Sequence, residues 1–521
     1  MTDQPAAPLG SYLRRCGLDV VDRAAGADAL VVLSSHPDPA LLRTPRPTLL
    51  AGPAVQACRD TADFDQIVGL LPGRLTAPHE VRLRPGPAAG RLADRMEVPL
   101  VLAADRVLLT DKLLDGTDVL LTANVGFVDH PVATRRAEVA ALTVGWTQET
   151  LGDPSYHRLV HRLLRMLCGQ FDRPAVGVGL LGYGAIGSEH SAAISAVTGL
   201  ELAAVCDPNP LRIAAARRLA PDVPAYSAAE PMLADPGVGA VIISTPPNTH
   251  AQWALRSLEA GKSVVVEKPF CLTVAEADAQ IEAAAERGLT LTVYQSRRWD
   301  PDYRALKRAW RAGLIGDVFH YESFIGGYGH PCNYWHSDQS VSGGAIYDWG
   351  SHYLDWALDL MPQEVEWVSA TAHKRIWHDV SNADHTRVLL HFTDGVEAEF
   401  THSDLAAAMK PKWYVLGTRG AIVGSWRHER IVSRNGSGVQ DEILAPADSP
   451  ATLELSAADG SVTRLAVPAG PLHPFHRELA DHLLSGSPMS VTPQGSRRNI
   501  AVMEAATAST LTGGRPQAVQ S

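Results

Sequence analysis

Val176-Gly177-Val178-Gly179-Leu180-Leu181-Gly182-Tyr183-Gly184-Ala185-Ile186-Gly187 decides the reading of this chain: an apolar strand runs into a GxGxxG turn that opens a helix. The first glycine of the turn permits the tight bend, the second lets the backbone approach a pyrophosphate, and the third lets helix and strand pack closely. The helix N-terminus adds amide donors and a partial positive charge for the phosphates. A purely structural glycine turn gives the same hexapeptide, so the flanking pattern carries the weight. Apolar runs recur at Glu201 to Cys206, Val238 to Ser244, Ser263 to Val266 and Thr290 to Tyr294, with helical stretches between them. Such alternation predicts a parallel, doubly wound sheet.

Asp207 ends the second of these runs, 25 residues after Gly182. There a carboxylate accepts hydrogen bonds from ribose hydroxyls and repels a 2′-phosphate, so NAD is favoured over NADP. Asp207-Pro208-Asn209-Pro210 also reads as a turn that caps the helix from Leu211. The two roles are compatible. Residues 175–298 are therefore expected to form a Rossmann dinucleotide-binding domain.

Working outward, the strands after Trp299 lengthen and alternate. Arg387 to Phe392 and Val396 to Thr401 flank the turn Thr393-Asp394-Gly395, a hairpin signal. Residues 299–515 are expected to form an α+β domain with a large antiparallel sheet. On the other side, Ala29 to Leu33, Thr48 to Leu50, Asp118 to Thr122 and Val139 to Val144 read as buried strands of a separate α/β domain over residues 1–170. Tyr156, Leu159, Val160, Leu163, Leu164 and Leu167 fall on one face of a closing helix that ends near Gly169, and Gln170 to Pro174 make a linker.

A length of 521 residues suits two or three domains, and 45% hydrophobic residues suit a soluble globular chain. A net charge of −11 without a long basic run argues against nucleic acid or an anionic membrane as partner and favours a small molecule. Six scattered cysteines with no CxxC pair indicate neither structural zinc nor a disulfide framework, and the opening residues resemble no signal peptide. A cytoplasmic location is expected.

Ser244-Thr245-Pro246-Pro247-Asn248-Thr249-His250, Glu267-Lys268-Pro269 and Gly344-Ala345-Ile346-Tyr347-Asp348-Trp349-Gly350-Ser351-His352 join the glycine turn in order. Together they resemble the Gfo/Idh/MocA oxidoreductases, over roughly Ala175 to Ala518. Tyr294-Gln295-Ser296-Arg297-Arg298-Trp299-Asp300 looks like members that oxidise scyllo-inositol. The resemblance implies a cofactor site built from Gly182, Tyr183, Gly184, Ala185, Ile186, Gly187, Asp207, Arg212, Ser244, Thr245, Pro246, Asn248, His250, Glu267, Lys268 and Gln295. It implies a sugar or cyclitol substrate, a homo-oligomer, and loops over the nicotinamide carrying Arg298, Trp299, Tyr328, Trp335, His336 and Asp338. Trp299 and Trp335 read equally well as core.

The chemistry of the residues points the same way. Lys268 directly follows a parallel strand, so it emerges at the sheet edge where ligands of doubly wound folds sit, and its ammonium can stabilise a developing alkoxide. Asp348 and His352 are four apart and share a face if helical. An imidazole with an ordinary pKa of about 6.5 accepts a hydroxyl proton, and Asp348 orients it or Lys268. Asp355 continues the same stripe, which leaves a metal site conceivable, but hydride transfer with a lysine and a histidine needs none. The cluster His373 to Asp379 either borders the pocket or is solvated.

Arg74 to Gly169 resembles the C-terminal half of ThuA-like proteins, a sugar-associated family with an amidotransferase-like fold. The residues are His130-Pro131-Val132-Ala133, Gly145-Trp146-Thr147-Gln148-Glu149-Thr150 and Asp153-Pro154. No Gly-x-Cys-x-Gly elbow is present and Cys58 lacks flanking glycines, which argues against amidotransferase chemistry. The leading expectation is an NAD-dependent dehydrogenase of a ring secondary alcohol. Two alternatives stay open: transient oxidation that enables elimination or glycoside cleavage with the cofactor regenerated in place, and a nicotinamide-binding regulator without catalysis.

Overall fold

The computed structural model describes residues 7–16, 18, 20, 27–43, 45–94, 96, 98–169, 175–332, 334–427, 430–434, 440–444, 450–468, 470 and 472–520. The linker expected at Gln170 to Pro174 lies outside them. The chain divides into two compact units, one of Met1–Val176, Ala196–Leu200 and Pro471–Ser490, the other of Gly177–Ser195, Glu201–Gly470 and Val491–Ser521.

The first unit holds a seven-stranded sheet. Leu30–Val32, Thr48–Ala51 and Val139–Leu142 are parallel, and Val128–Arg136, Asp118–Val125, His79–Pro85 and Leu100–Asp105 continue it in antiparallel fashion. The four expected strands are present. Those the pattern did not reveal, such as His79–Pro85, alternate buried residues with exposed Glu80, Arg82 and Arg84, the signature of a sheet with one wet face. Helix Pro154–Leu167 is capped by Asp153, whose carboxylate accepts from Ser155 N, and buries all six expected apolar residues. Buried Asp105 accepts from the backbone amides of Gly145, Trp146 and Thr147 at 2.6, 2.9 and 3.3 Å, which holds the segment after the last strand.

A piece from far along the chain completes this unit. Helix Pro474–Ser485 brings Glu478 against Arg158, while Ser490 Oγ donates to Glu478 at 2.6 Å. Arg162 and Asp481 pair at 3.6 Å, with both side chains more than nine-tenths buried. Glu478→Ala breaks a buried ion pair and is expected to destabilise this unit by about 3 kcal/mol. Faster proteolysis within residues 27–169 checks it; unchanged protection contradicts it.

In the second unit, six strands form a sheet: β1 (Val176–Leu181), β2 (Leu200–Cys206), β3 (Ala225–Tyr226), β4 (Ala240–Ile243), β5 (Ser263–Glu267) and β6 (Leu291–Tyr294). Their order is β3-β2-β1-β4-β5-β6, and the pairs from β1 through β4 and β5 to β6 are parallel. This is the doubly wound dinucleotide-binding arrangement, with its switch point between β1 and β4. β4 and β5 are almost wholly apolar because both faces are covered. Only two residues long, β3 was invisible to the pattern.

Besides the two-stranded ribbon of Arg430–Arg434 and Gln440–Leu444, this unit has the strands β7 (Val318–Gly326), β8 (Val365–His373), β9 (His385–Phe392), β10 (Glu397–Ser403), β11 (Trp413–Gly417), β12 (Gly420–Ser425), β13 (Thr452–Ala457), β14 (Val462–Arg464) and β15 (Gln517–Ala518). The nine strands β7 to β15 form one sheet in the order β14-β13-β12-β11-β7-β10-β9-β8-β15. The hairpin β9–β10 turns at Gly395, where φ is +84°. The antiparallel expectation needs one amendment: β7 and β10, neighbours at the centre, run parallel. One hydrophobic core spans both sheets of this unit, from Leu181 and Val266 to Trp356 and Phe400. Among the described residues no helix is long and apolar enough to cross a membrane.

Candidate active site

The glycine turn sits at the C-terminal end of β1, beside the end of β4. Gly182 has φ +97°, and a Cβ there would lie 2.5 Å from Ser244 O. A Cβ on Gly187 would lie 2.5 Å from Gly182 O, so helix and turn are in backbone contact. Helix Ala185–Ala196 starts within the motif, aiming its first amides out of the sheet edge. The turn is a cradle of the shape a dinucleotide pyrophosphate requires, and the residues present fit that group.

Asp207 is buried and already occupied. Its Oδ2 accepts from Tyr183 N at 2.8 Å, its Oδ1 from Asn209 N at 2.8 Å, and Arg212 approaches at 3.4 Å. The carboxylate therefore shapes the glycine turn. Ser244 Oγ donates to Gly182 O at 3.0 Å, tying β4 to β1. The two ring nitrogens of buried His250 lie 2.8 and 2.7 Å from the carbonyl oxygens of Thr245 and Pro269, joining the turns after β4 and β5. Pro246 and Asn248 are exposed at that rim.

Glu267 closes β5 by accepting from Lys268 N at 2.9 Å, and its other oxygen lies 3.0 Å from His190 Nε2. Lys268 then leaves the sheet edge and donates to Asp348 Oδ1 at 2.8 Å and Asp348 O at 3.3 Å. Burial alone would raise the Asp348 carboxyl, but Lys268 and His336 hold it well below the usual carboxylate range. Asp348 ends the short helix Ala345–Asp348, and His352 lies in the first turn of Gly350–Leu360. Burial first, then the charges of Lys268 and Arg297, hold the imidazole well below its ordinary value, with Asp348 opposing. Its Nδ1 is buried with no hydrogen-bond partner among the described residues. Gln295 Nε2 and Asn499 Nδ2 both donate to Ser351 O, at 3.1 and 2.9 Å, which steadies that helix start.

Lys268 and Asp348 border a cavity of about 350 Å³, walled also by Tyr334, His336, Trp349, Asn382, His402 and Asp404. Of the expected substrate contacts, His336 lines it. Arg298 does not: its guanidinium is clamped on Asp355, 2.6 and 2.7 Å, and reaches Asp359, so it braces helix Gly350–Leu360 instead. The same clamp occupies Asp355, and no group of metal-binding side chains is found among the described residues. Trp299 packs against the core, Tyr328 is largely exposed, Trp335 stacks on His336 at 3.7 Å, and Asp338 caps helix Gln339–Ser342. His402 and Asp404 were missed. They stand at the end of β10 and just after it, where only the pairing of β10 with β7 and β9 carries them to the site.

Residues 176–295 match the model of the GFO/IDH/MocA oxidoreductase family, NAD-binding Rossmann fold, and residues 303–423 match the GFO/IDH/MocA C-terminal domain. A scyllo-inositol 2-dehydrogenase (NAD(+)) of Bacillus subtilis is 32% identical over 280 residues, 51% of this chain and 78% of that enzyme. This chain belongs to the Gfo/Idh/MocA oxidoreductase family. An uncharacterized oxidoreductase of Schizosaccharomyces pombe is 29% identical over 215 residues, so the match spans 40% of this chain and 58% of that one. The crystal structure of an NAD-binding protein from Listeria innocua aligns with a TM-score of 0.56 at 27% identity, covering 66% of this chain and 97% of that one. Both Gfo/Idh/MocA models begin after the first 175 residues.

Proposed function

We propose that this chain is an NAD-dependent dehydrogenase of a secondary alcohol on a sugar or cyclitol ring. The observation that carries the reading is the Lys268–Asp348 pair in a cavity wall at the C-terminal edge of the dinucleotide sheet, with His352 in the first turn of the next helix, outside the residues that line that cavity. When bound, the nicotinamide supplies the hydride acceptor. Asp348 aims Lys268, whose Nζ donates to the reacting oxygen and stabilises its negative charge as the C–H bond breaks. Neutral His352 accepts the hydroxyl proton. Gln295 and Asn499 keep the segment carrying His352 in place.

Stoichiometric NADH release from NAD and a panel of neutral, amino and acidic polyols tests this. NADH accumulation supports it; cleavage products without NADH would favour transient oxidation, and NAD binding without turnover would favour a regulator. Asp207 favours NAD over NADP, since a 2′-phosphate would face a buried carboxylate. Asp207→Ala is expected to weaken NAD about tenfold or more, because it removes a ribose acceptor and frees Tyr183 N. Unchanged affinity in a fluorescence titration contradicts the assignment. For the N-terminal unit we propose a ThuA-like domain without thiol chemistry: burial pushes the Cys58 thiol up, which disfavours the thiolate.

A further inference from the structure

Three residues of the cavity lining, Asn382, His402 and Asp404, present acceptor atoms. Asn382 Nδ2 is committed to His336 O at 2.8 Å, which leaves its Oδ1 buried with no partner. His402 is more than nine-tenths buried, and its Nδ1 has no partner either. Among the described residues, the side chain paired with Asp404 is His402, whose Nε2 is 3.5 Å away. The cations nearby are spoken for: Lys268 by Asp348, and Lys374 by Asp384 at 2.9 Å and Asn382 O at 2.6 Å. With His402 pushed down to about 4 by burial, no cationic side chain is paired directly with the Asp404 carboxyl among the described residues.

Resting on the dehydrogenase reading above, we infer that this wall seats a ring ammonium, so that the preferred substrate is an amino-polyol, with Asp404, Asn382 and His402 as its specificity residues. An ammonium carries three donors and no acceptor, the complement of these groups, and restores the missing charge. Neutral hydroxyls satisfy the hydrogen bonds but not the charge. Carboxylate or phosphate groups of acidic sugars meet acceptors and a like charge, which is costly in a partly buried site. A volume of about 350 Å³ is at the small end of ligand cavities and suits a single ring.

The groups facing Asp404 are Asp384 before β9, Asp348, Lys374, His330 and His402. Burial and the two carboxylates push Asp404 up to about 7, with Lys374 and His330 opposing. The folded chain then binds a proton there that the unfolded chain has lost, so this group's contribution to stability falls as pH rises from about 4 to 7. Replacing it with a neutral amide should raise the melting temperature at pH 8.

The test compares D-glucosamine, D-glucose and D-glucuronate, and scyllo-inositol with its 1-amino-1-deoxy analogue, on the full chain. In wild type at pH 7.5 the amine of each set is expected to have kcat/KM at least about tenfold above the neutral ring, with the uronate lowest. Asp404→Asn should bring the kcat/KM values of amine and neutral ring together, and Asp404→Glu should restore part of the preference. Equal ratios in wild type and Asp404→Asn, or preference for the uronate, overturn the inference and leave the dehydrogenase reading standing. If no compound reduces NAD, that reading fails, and calorimetric titration of the NADH-loaded chain with the same compounds decides this one: tighter amine binding lost in Asp404→Asn supports it, and its absence overturns it.

Discussion

Lys268→Met is expected to lower kcat about 10²- to 10³-fold while NADH still binds, because the ammonium is the donor placed to meet charge that exists only as the alkoxide forms. The thioether side chain fills the same space, so Glu267 keeps its contact to the backbone amide of residue 268 and the turn is retained. The loss should fall on kcat and kcat/KM together, the pattern of an interaction made in the transition state. Asp348→Asn keeps the ammonium but releases its 2.8 Å tether, so its loss should be smaller. A Lys268→Met enzyme with kcat within a factor of about three of wild type would remove lysine from the chemistry.

Lys412→Met should produce the largest stability change in the second unit, about 3–5 kcal/mol. Lys412 and Asp302 pair at 2.7 Å with 1% of either side chain exposed. The ammonium lies over the rings of Trp356, Trp413 and Trp426 at 5.2, 4.5 and 5.4 Å. Methionine leaves the Asp302 charge buried without its countercharge. Asp302→Asn in the same chain should recover part of the loss, since the neutral amide oxygen still accepts from Ala451 N, as the carboxylate does at 2.7 Å. Denaturant unfolding followed by tryptophan fluorescence reads both variants. A midpoint for Lys412→Met equal to wild type would contradict the burial of an unpaired charge.

The dinucleotide domain was legible because each of its signals is local: a glycine turn, the carboxylate ending the next strand, and Lys268 directly behind an apolar run. Asp348 and His352 were expected on one helical face, but Asp348 ends one short helix and His352 begins the next, so their spacing is set by the junction at Trp349. Arg298 was misplaced because an arginine in a loop reads alike whether it faces a cavity or Asp355, 57 residues on along a later helix. His402 and Asp404 were hidden because their position depends on strand pairing, and His402 in β10 resembles any strand histidine until its register with Ile325 of β7 and Thr386 of β9 is known. The contribution of Pro474–Ser485 to the first unit was hidden too, as no sequence periodicity tells a helix which distant core it completes.

The most direct measurement is a crystal structure of the full chain with NADH and the polyol it turns over best. One hydroxyl oxygen of the polyol should lie about 2.6–3.2 Å from both Lys268 Nζ and a ring nitrogen of His352, with the attached carbon facing the nicotinamide. A polyol bound away from Lys268, or an imidazole that reaches no substrate oxygen, would contradict the proposed chemistry.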